Sequence, residues 1–306
     1  MTAVSHQAMV DPPTYRDLLS AAVPRIRVAL RDAVSGSADT PWLDAVVMMR
    51  HASGQSQERL IAAMSDPVDA CCAQRFESLV ELRCAGLPVS YVIGKKEFYG
   101  RDFRVTTDVL VPRPDTETLV EVILDLHRGV GPTHIHDACT GSGCVAITVA
   151  AETEWAVTAS DVSAAAIAVA EENAVQLLAP GRRPRFFRSD LLTELPDALV
   201  RLGIGAPTIV SANPPYLTDT EYGELVRRQW PEPALALRGG TDGVDAYTRL
   251  AGQALSCLAP HGYLVVEIGS SQGPRVRALL ESAGFVDVET VTDLGGRDRV
   301  CVGRRP

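Results

Sequence analysis

The four residues Asn213-Pro214-Pro215-Tyr216 follow directly on an apolar run, Ile209 to Ala212. A carboxamide, two prolines and an aromatic ring at the end of a buried strand make a poor structural turn, because they leave unpaired acceptors beside an exposed ring. They suit a particular chemistry. A planar, conjugated –NH2 has its lone pair delocalised, so it needs orientation toward an electrophile more than it needs a strong base. The Asn213 side-chain oxygen and the Pro214 carbonyl can each accept one of its hydrogens, while Tyr216 packs on the flat π-system. Asn213, Pro214, Pro215 and Tyr216 are therefore the expected substrate-binding residues, with Asn213, Pro214 and Tyr216 the catalytic ones. A methyl sulfonium is electrophilic enough to complete such a reaction.

A second group of residues reads as a nucleoside site. His134 to Asp137 leads into Ala138-Cys139-Thr140-Gly141-Ser142-Gly143 and then the small-residue run Cys144 to Ala151. Glycines at such a bend let the backbone approach a ligand at a helix N-terminus, beyond the carboxyl end of a strand. The next apolar run ends at Asp161, 18 residues after Gly143, where an acidic side chain can accept from both ribose hydroxyls. Asp190 falls at the following strand end and can accept from an adenine amino group. Expected cofactor contacts are Asp137, Cys139, Thr140, Gly141, Ser142, Gly143, Asp161, Val162, Asp190, Leu191 and Asn213. A helix cap at Asp161 and an exposed loop carboxylate at Asp190 are the plain alternatives. The spacing fits either a dinucleotide or an S-adenosyl ligand, although Cys139 and Thr140 stand where a pyrophosphate binder prefers glycine.

These residues need a scaffold of strands and helices in alternation. Apolar strands are expected at His134 to Ala138, Val157 to Ser160, Arg185 to Arg188, Ile209 to Ala212, Tyr263 to Ile268, Phe285 to Val291 and Val300 to Val302, separated by helical stretches. That alternation implies a parallel sheet covered on both faces. The final two strands are joined by a short loop through Gly295 and Gly296, too short for a parallel crossover, so the last strand should run antiparallel, as suits a methyltransferase better than a dinucleotide enzyme. From Tyr15 to Ala85 the pattern is helical. Thr40-Pro41 and Asp66-Pro67 look like helix starts, and Gly86 is placed to stop the last helix. Tyr91-Val92-Ile93, Phe98-Tyr99 and Phe103 to Val105 suggest a β-hairpin. The expected organisation is a helical substrate-docking domain over 1–86, a hairpin linker over 87–111 and a catalytic domain over 112–306.

The turn Asp137 to Gly143, the Asn213 to Tyr216 tetrapeptide, the segment Val111-Pro112-Arg113-Pro114-Asp115-Thr116-Glu117 and Glu267-Ile268-Gly269 before Gln272-Gly273 together resemble the HemK family, the peptide chain release factor N5-glutamine methyltransferases. The resemblance spans nearly the whole chain. The tetrapeptide alone also occurs in N6-adenine methyltransferases; the 112–117 segment and the helical N-terminal region favour the glutamine enzymes. The resemblance implies a class I methyltransferase fold, a Rossmann-like seven-stranded sheet with its last strand antiparallel, preceded by a helical bundle. It implies methyl transfer from S-adenosylmethionine, leaving S-adenosylhomocysteine, to the glutamine amide of the Gly-Gly-Gln motif in class 1 release factors. A glutamine of a ribosomal protein is the related alternative, and an adenine N6 a more distant one. By the same resemblance the glycine-rich turn and Asp161 hold the cofactor, Asp190-Leu191 lies by the adenine, and Asn213 to Tyr216 hold the substrate amide. Cys139 departs from a frequent glycine, and Leu191 from a frequent aromatic.

Composition narrows the remaining classes. Lys+Arg 29 against Asp+Glu 38 gives a net charge of −9, which opposes stable binding to phosphate backbones. No run of 18 or more apolar residues occurs, and Met1 to Pro13 lacks the basic and apolar regions of a signal peptide, so a cytoplasmic protein with no membrane partner, and a monomer, is expected. The seven cysteines include no C-x-x-C pair, which speaks against a zinc site or a disulfide framework. The Arg182, Arg183, Arg185, Arg188 run reads as a solvated loop and strand edge, with docking to an acidic partner as the alternative. His134 and His136 read as packing or edge residues rather than acid/base groups, and Glu267 as a structural hydrogen-bonding group, with a functional role near the pocket as the alternative.

Overall fold

The computed structural model describes residues 12–30, 40–127 and 134–306; the first eleven residues, part of the stretch read for a targeting signal, lie outside them. The chain divides into two compact units, residues 1–93 with 228–231, and residues 94–227 with 232–306.

The first unit is helical: α1 (Tyr15–Ala29), α2 (Pro41–Ser53), α3 (Gln57–Ala62), α4 (Ala70–Cys84) and α5 (Val89–Ile93). Leu19, Ile26, Met48, Met49, Phe76 and Val80 form its core. Thr14 and Asp17 close a reciprocal capping box at the start of α1, which satisfies two otherwise orphaned backbone donors. Pro41 does open α2, with Thr40 at the N-cap position, but the Thr40 side chain makes no capping bond. Asp66-Pro67 starts no helix. The N-cap of α4 is Asp69, which accepts from the Cys72 N–H, while the Asp66 carbonyl accepts from Tyr15 N and Pro67 bridges Thr14. Inside the bundle Arg83 donates to Asp44 at 2.9 Å, both buried. The expected strand at Tyr91-Val92-Ile93 is instead the short helix α5, because the Tyr91 and Val92 amides turn back onto the Pro88 carbonyl.

The second unit opens with a hairpin of β1 (Lys95–Phe98) and β2 (Arg101–Arg104), so the expected linker 87–111 is shared between the two units. After a 3-10 turn at Pro114–Thr116 come α6 (Glu117–His127), β3 (His134–Ala138), α7 (Cys144–Glu152), β4 (Ala156–Asp161), α8 (Ala164–Leu177), β5 (Arg185–Arg188), α9 (Leu195–Leu202) and β6 (Ile209–Ala212). The chain ends with α10 (Asp219–Arg227), α11 (Ala234–Leu237), α12 (Asp245–Cys257), β7 (Tyr263–Glu267), α13 (Gly273–Ala283), β8 (Val286–Thr292) and β9 (Asp298–Arg304). The strands form one seven-stranded sheet in the order β5-β4-β3-β6-β7-β9-β8. All neighbours pair parallel except β9, which runs antiparallel to both β7 and β8, as the short final loop required.

Apolar clusters cover both faces of this sheet. The helix α7 is buried from Val145 to Ala150, which accounts for its run of small and branched residues without a polar stripe. From β3 the chain winds outward through β4 to β5, then returns to the other side of β3 at β6. That reversal leaves a crevice beyond the carboxyl ends of the central strands, where open α/β sheets bind ligands.

Candidate active site

Strand register places the chemistry in one row. Ala138 pairs with Ser160 on one side and Ala212 on the other, and Ala212 pairs with Val266. The next residue of each strand is therefore Cys139, Asp161, Asn213 and Glu267, side by side at the carboxyl edge. In front of this edge lies a cavity of about 520 Å³, within the range of small-molecule sites. Asp137, Cys139, Thr140, Gly141, Ser142, Asp161, Val162, Asp190, Leu191, Asn213 and Pro215 all line it. Gly143, Pro214 and Tyr216 do not.

Each position has a local cause. Asp137 is buried and accepts from Thr140 Oγ1 and Ser211 Oγ, both at 2.7 Å, so it ties the turn to β6; burial pushes its carboxyl up to about 6. Gly143 caps α7 in the left-handed conformation, and a Cβ there would come within 2.9 Å of Ile147 and 3.1 Å of Ala170. Its role is close helix packing. Cys139 and Leu191 also have left-handed φ values, 56° and 55°, which side chains with a Cβ adopt at a cost.

Asp161 Oδ2 accepts from Gly141 N at 3.0 Å and Oδ1 from Ser163 N at 2.9 Å. The helix cap proper is Ser163. Each Asp161 oxygen retains a further lone pair, and burial raises its pKa. Asp190 is held in an ion pair with Arg249 at 2.6 Å, and both lie on the cavity wall.

The tetrapeptide is fixed from behind. Leu217 N donates to the Leu237 carbonyl and Gly239 N to the Leu217 carbonyl, while Gln272 Nε2 reaches the carbonyls of Tyr216 and Gly243 at 3.1 Å. A Cβ on Gly239 would stand 2.7 Å from the Pro215 carbonyl oxygen, so only glycine lets the two strips lie together. Buried Glu232 accepts from Val111 N and pairs with Arg113, anchoring the 111–116 segment over the cavity. Asn213 Nδ2 donates to Thr116 Oγ1 at 3.4 Å, so its Oδ1 is the end of the amide able to accept. Tyr216 is half-buried against the apolar cluster of the sheet, and burial raises its phenol to about 12.

Sequence reasoning missed Glu232, Gly239, Gly240 and Arg249. The glycine-rich stretch Gly239-Gly240-Thr241-Asp242-Gly243 was the available signal for the first strip; nothing in the sequence marked Arg249, which meets Asp190 only through the packing of α12.

The crevice at the switch point, an acidic residue at the second strand end and an amide-orienting tetrapeptide describe a nucleoside-cofactor enzyme. The chain's relatives decide which. It is 39% identical to a release factor glutamine methyltransferase of Cereibacter sphaeroides over 293 residues, 95% of this chain and 98% of that one. The chain belongs to the release factor glutamine methyltransferase family. A relative of the same name from Bacillus subtilis is 36% identical over 84% of this chain and 89% of its own. One from Burkholderia pseudomallei is 39% identical over 86% and 92%. Residues 26–94 match the family model described as the PrmC N-terminal domain. Among solved structures, the hMettl16 catalytic domain, in complex with the MAT2A 3'UTR hairpin 6, aligns with TM-score 0.54 over 76% of this chain and 81% of that one at 15% identity, a likeness of fold. The enzyme is an S-adenosylmethionine-dependent methyltransferase. Among the described residues no helix is long and apolar enough to cross a membrane, and no cluster of His, Cys, Asp or Glu could hold a metal.

The cavity fits that cofactor on the chain's own terms. The open lone pairs of Asp161 suit ribose hydroxyls, the left-handed Gly141 lies on the wall without a side chain, and Leu191 with the Asp190 carboxyl can flank the base. When bound, S-adenosylmethionine supplies a methyl group activated by its sulfonium.

Proposed function

We propose that the enzyme methylates the N5 amide nitrogen of the glutamine in the Gly-Gly-Gln motif of class 1 release factors, with Asn213 and Pro214 as the orienting acceptors. The observation that carries this reading is the Asn213 side chain on the cavity wall. Its Nδ2 donates to Thr116 Oγ1, which frees its Oδ1 to accept a ligand N–H. A substrate amide gives one N–H to that oxygen, and the other goes to the Pro214 carbonyl once that carbonyl, which does not line the cavity, turns toward it; the amide plane is then fixed against the cofactor side of the cavity. Orientation of this kind replaces base catalysis, because the nitrogen lone pair is poor as a base but adequate toward a sulfonium methyl group held in line. The N-methylated amide then releases one proton to water. Tyr216 acts in this reading through the loop that its backbone anchors.

The full-length relatives named for the release factor reaction support this substrate over a ribosomal protein. The acidic balance weighs against a nucleic acid. The helical unit docks the release factor, and the enzyme works as a cytoplasmic monomer. Asn213→Ala is the test: single-turnover methyl transfer to an intact release factor should slow by roughly a hundredfold, the scale of one lost preorganised polar contact, while calorimetric affinity for S-adenosylmethionine stays the same. A wild-type transfer rate would remove Asn213 from the reaction.

A further inference from the structure

The last residue of β7, Glu267, is 1% exposed and stands beside Asn213 in the strand register. A carboxyl so deeply buried is costly unless it is fully bonded, yet its Oε2 has no hydrogen-bond partner among the described residues. Arg299 stabilises it from a distance, but that guanidinium is itself bonded to Asp115 and Asp293 at 3.0 and 3.2 Å. Thr116 and Asn213 are close enough for hydrogen bonding to hold its pKa down, and Asn213 Nδ2 meets Thr116 Oγ1.

We propose that Glu267 is a positioning residue that dictates, through the Thr116 hydroxyl, which face of the Asn213 amide meets the substrate. The proposal rests on the reading of Asn213 as the substrate acceptor. Its logic is the polarity of a short hydrogen-bond chain. An ionised carboxylate can only accept. The Thr116 hydroxyl therefore gives its proton to Glu267, and its oxygen is left to accept from Asn213. Asn213 must then turn its –NH2 inward and its Oδ1 outward, toward the substrate N–H. A group able to donate at position 267 lets the chain reverse: Thr116 donates to Asn213 Oδ1, the amide flips, and a donor faces a donor.

Protonation of Glu267 is one such reversal, and burial pushes its carboxyl up to about 7 against Thr116, Arg299 and Asn213. The other charged or titratable groups facing it are Arg299 and Asp115, with Tyr216, Tyr247 and Cys144. Burial lifts both phenols and the thiol far above neutrality, so they keep their protons while Glu267 titrates.

The experiment measures single-turnover methyl transfer at saturating S-adenosylmethionine from about pH 6 to 9, bracketing that titration, together with calorimetric cofactor affinity. The wild-type rate is expected to fall as pH drops through 7. Glu267→Gln, isosteric and without a buried charge, should be about tenfold slower at the alkaline end, the scale of one charge-assisted hydrogen bond, with the acid limb flattened and cofactor affinity unchanged. Thr116→Val should reproduce this, and Thr116→Ser should restore the wild-type profile. In an Asn213→Ala background, Glu267→Gln should cost nothing more, because the residue acts only through Asn213. Multiplying losses in the double variant, or a Glu267→Gln enzyme with wild-type rate and pH profile, overturns the proposal. If Asn213→Ala alone runs at full speed, the reading of Asn213 falls and takes the proposal with it; if that variant is slow while Glu267→Gln is not, only the role of Glu267 falls.

Discussion

At the scale of single residues, the site is built from groups whose bonding capacity is only partly used. Asp161 anchors the glycine-rich turn and the start of α8 through two backbone N–H groups and still has lone pairs for two hydroxyls. Asp161→Ala should lower S-adenosylmethionine affinity by on the order of tenfold to a hundredfold, given about 1.5 to 3 kcal/mol for hydrogen bonds to a charged group. Isothermal calorimetry on the folded variant checks it, and an unchanged Kd would exclude Asp161 from the ribose site. Asn213 and Asp190 differ in what holds them: a neutral hydroxyl for the first, the Arg249 guanidinium for the second.

At the scale of elements, two features carry the site's geometry. The strip containing Gly239 lies on the Asn213–Tyr216 loop so closely that a methyl group would meet backbone at 2.7 and 2.8 Å. Gly239→Ala should therefore displace the tetrapeptide, slow methyl transfer more than it weakens the cofactor, and lower stability by roughly 1–3 kcal/mol as an overpacked contact; a Tm and a transfer rate both like wild type would show that the loop yields freely.

The second feature is a ladder of buried side chains across β3 and β4. His134 Nδ1 faces the Gly205 carbonyl, His134 Nε2 and His136 Nδ1 face Thr158 Oγ1, and His136 Nε2 faces Ser160 Oγ, at 2.8 to 3.1 Å. Because a carbonyl only accepts, His134 Nδ1 donates, and the neutral tautomers run in one direction through to Ser160. Burial lowers both histidines, His136 to about 3. The unfolded chain binds protons below about pH 6.5 that the native state refuses, so these residues cost the fold nothing above that pH and progressively more below it. Between pH 6.5 and 5, His136→Gln should flatten the dependence of unfolding free energy on pH, by about 0.7 kcal/mol per pH unit at pH 6.5, where the unfolded histidine is half protonated, and by up to about 1.4 near pH 5, one proton's worth. Urea melts across that range measure the slope, whatever the variant's absolute stability; an unaltered slope would mean that His136 is not held neutral.

At the scale of the whole molecule, every residue of the cavity belongs to the unit formed by 94–227 and 232–306, while the helical unit contributes a separate core. A glutamine amide alone offers too little surface to select one protein among thousands, so recognition needs an interface on the order of 1,000 Å² or more. A chain beginning at Gly94 should still bind S-adenosylmethionine yet methylate an intact release factor with a much higher KM, as expected when uniform binding is removed. Its rate on a short Gly-Gly-Gln peptide should change little. Equal fractional losses on peptide and intact factor would refute docking by the helical unit.

The sequence by itself determined the order of strands and helices, the antiparallel last strand and the strand-end residues Asp137, Asp161, Asp190 and Asn213 that line the cavity. Those follow from local patterns: apolar runs, glycine bends, and acidic residues at strand ends. Where reading along the chain erred, two local signals competed. Asp66-Pro67 looks like a helix start and became a bridge to Thr14; Tyr91 to Ile93 looks like a strand and turned back on Pro88. Only the tertiary structure decided the partnerships between distant residues. Glu232 with Arg113, Arg249 with Asp190, Gln272 with the Tyr216 carbonyl, and Glu267 beside Asn213 each join segments many residues apart. No local periodicity encodes such pairs, since they exist only once the sheet has set its register and brought the carboxyl ends of β3, β4, β6 and β7 into one row.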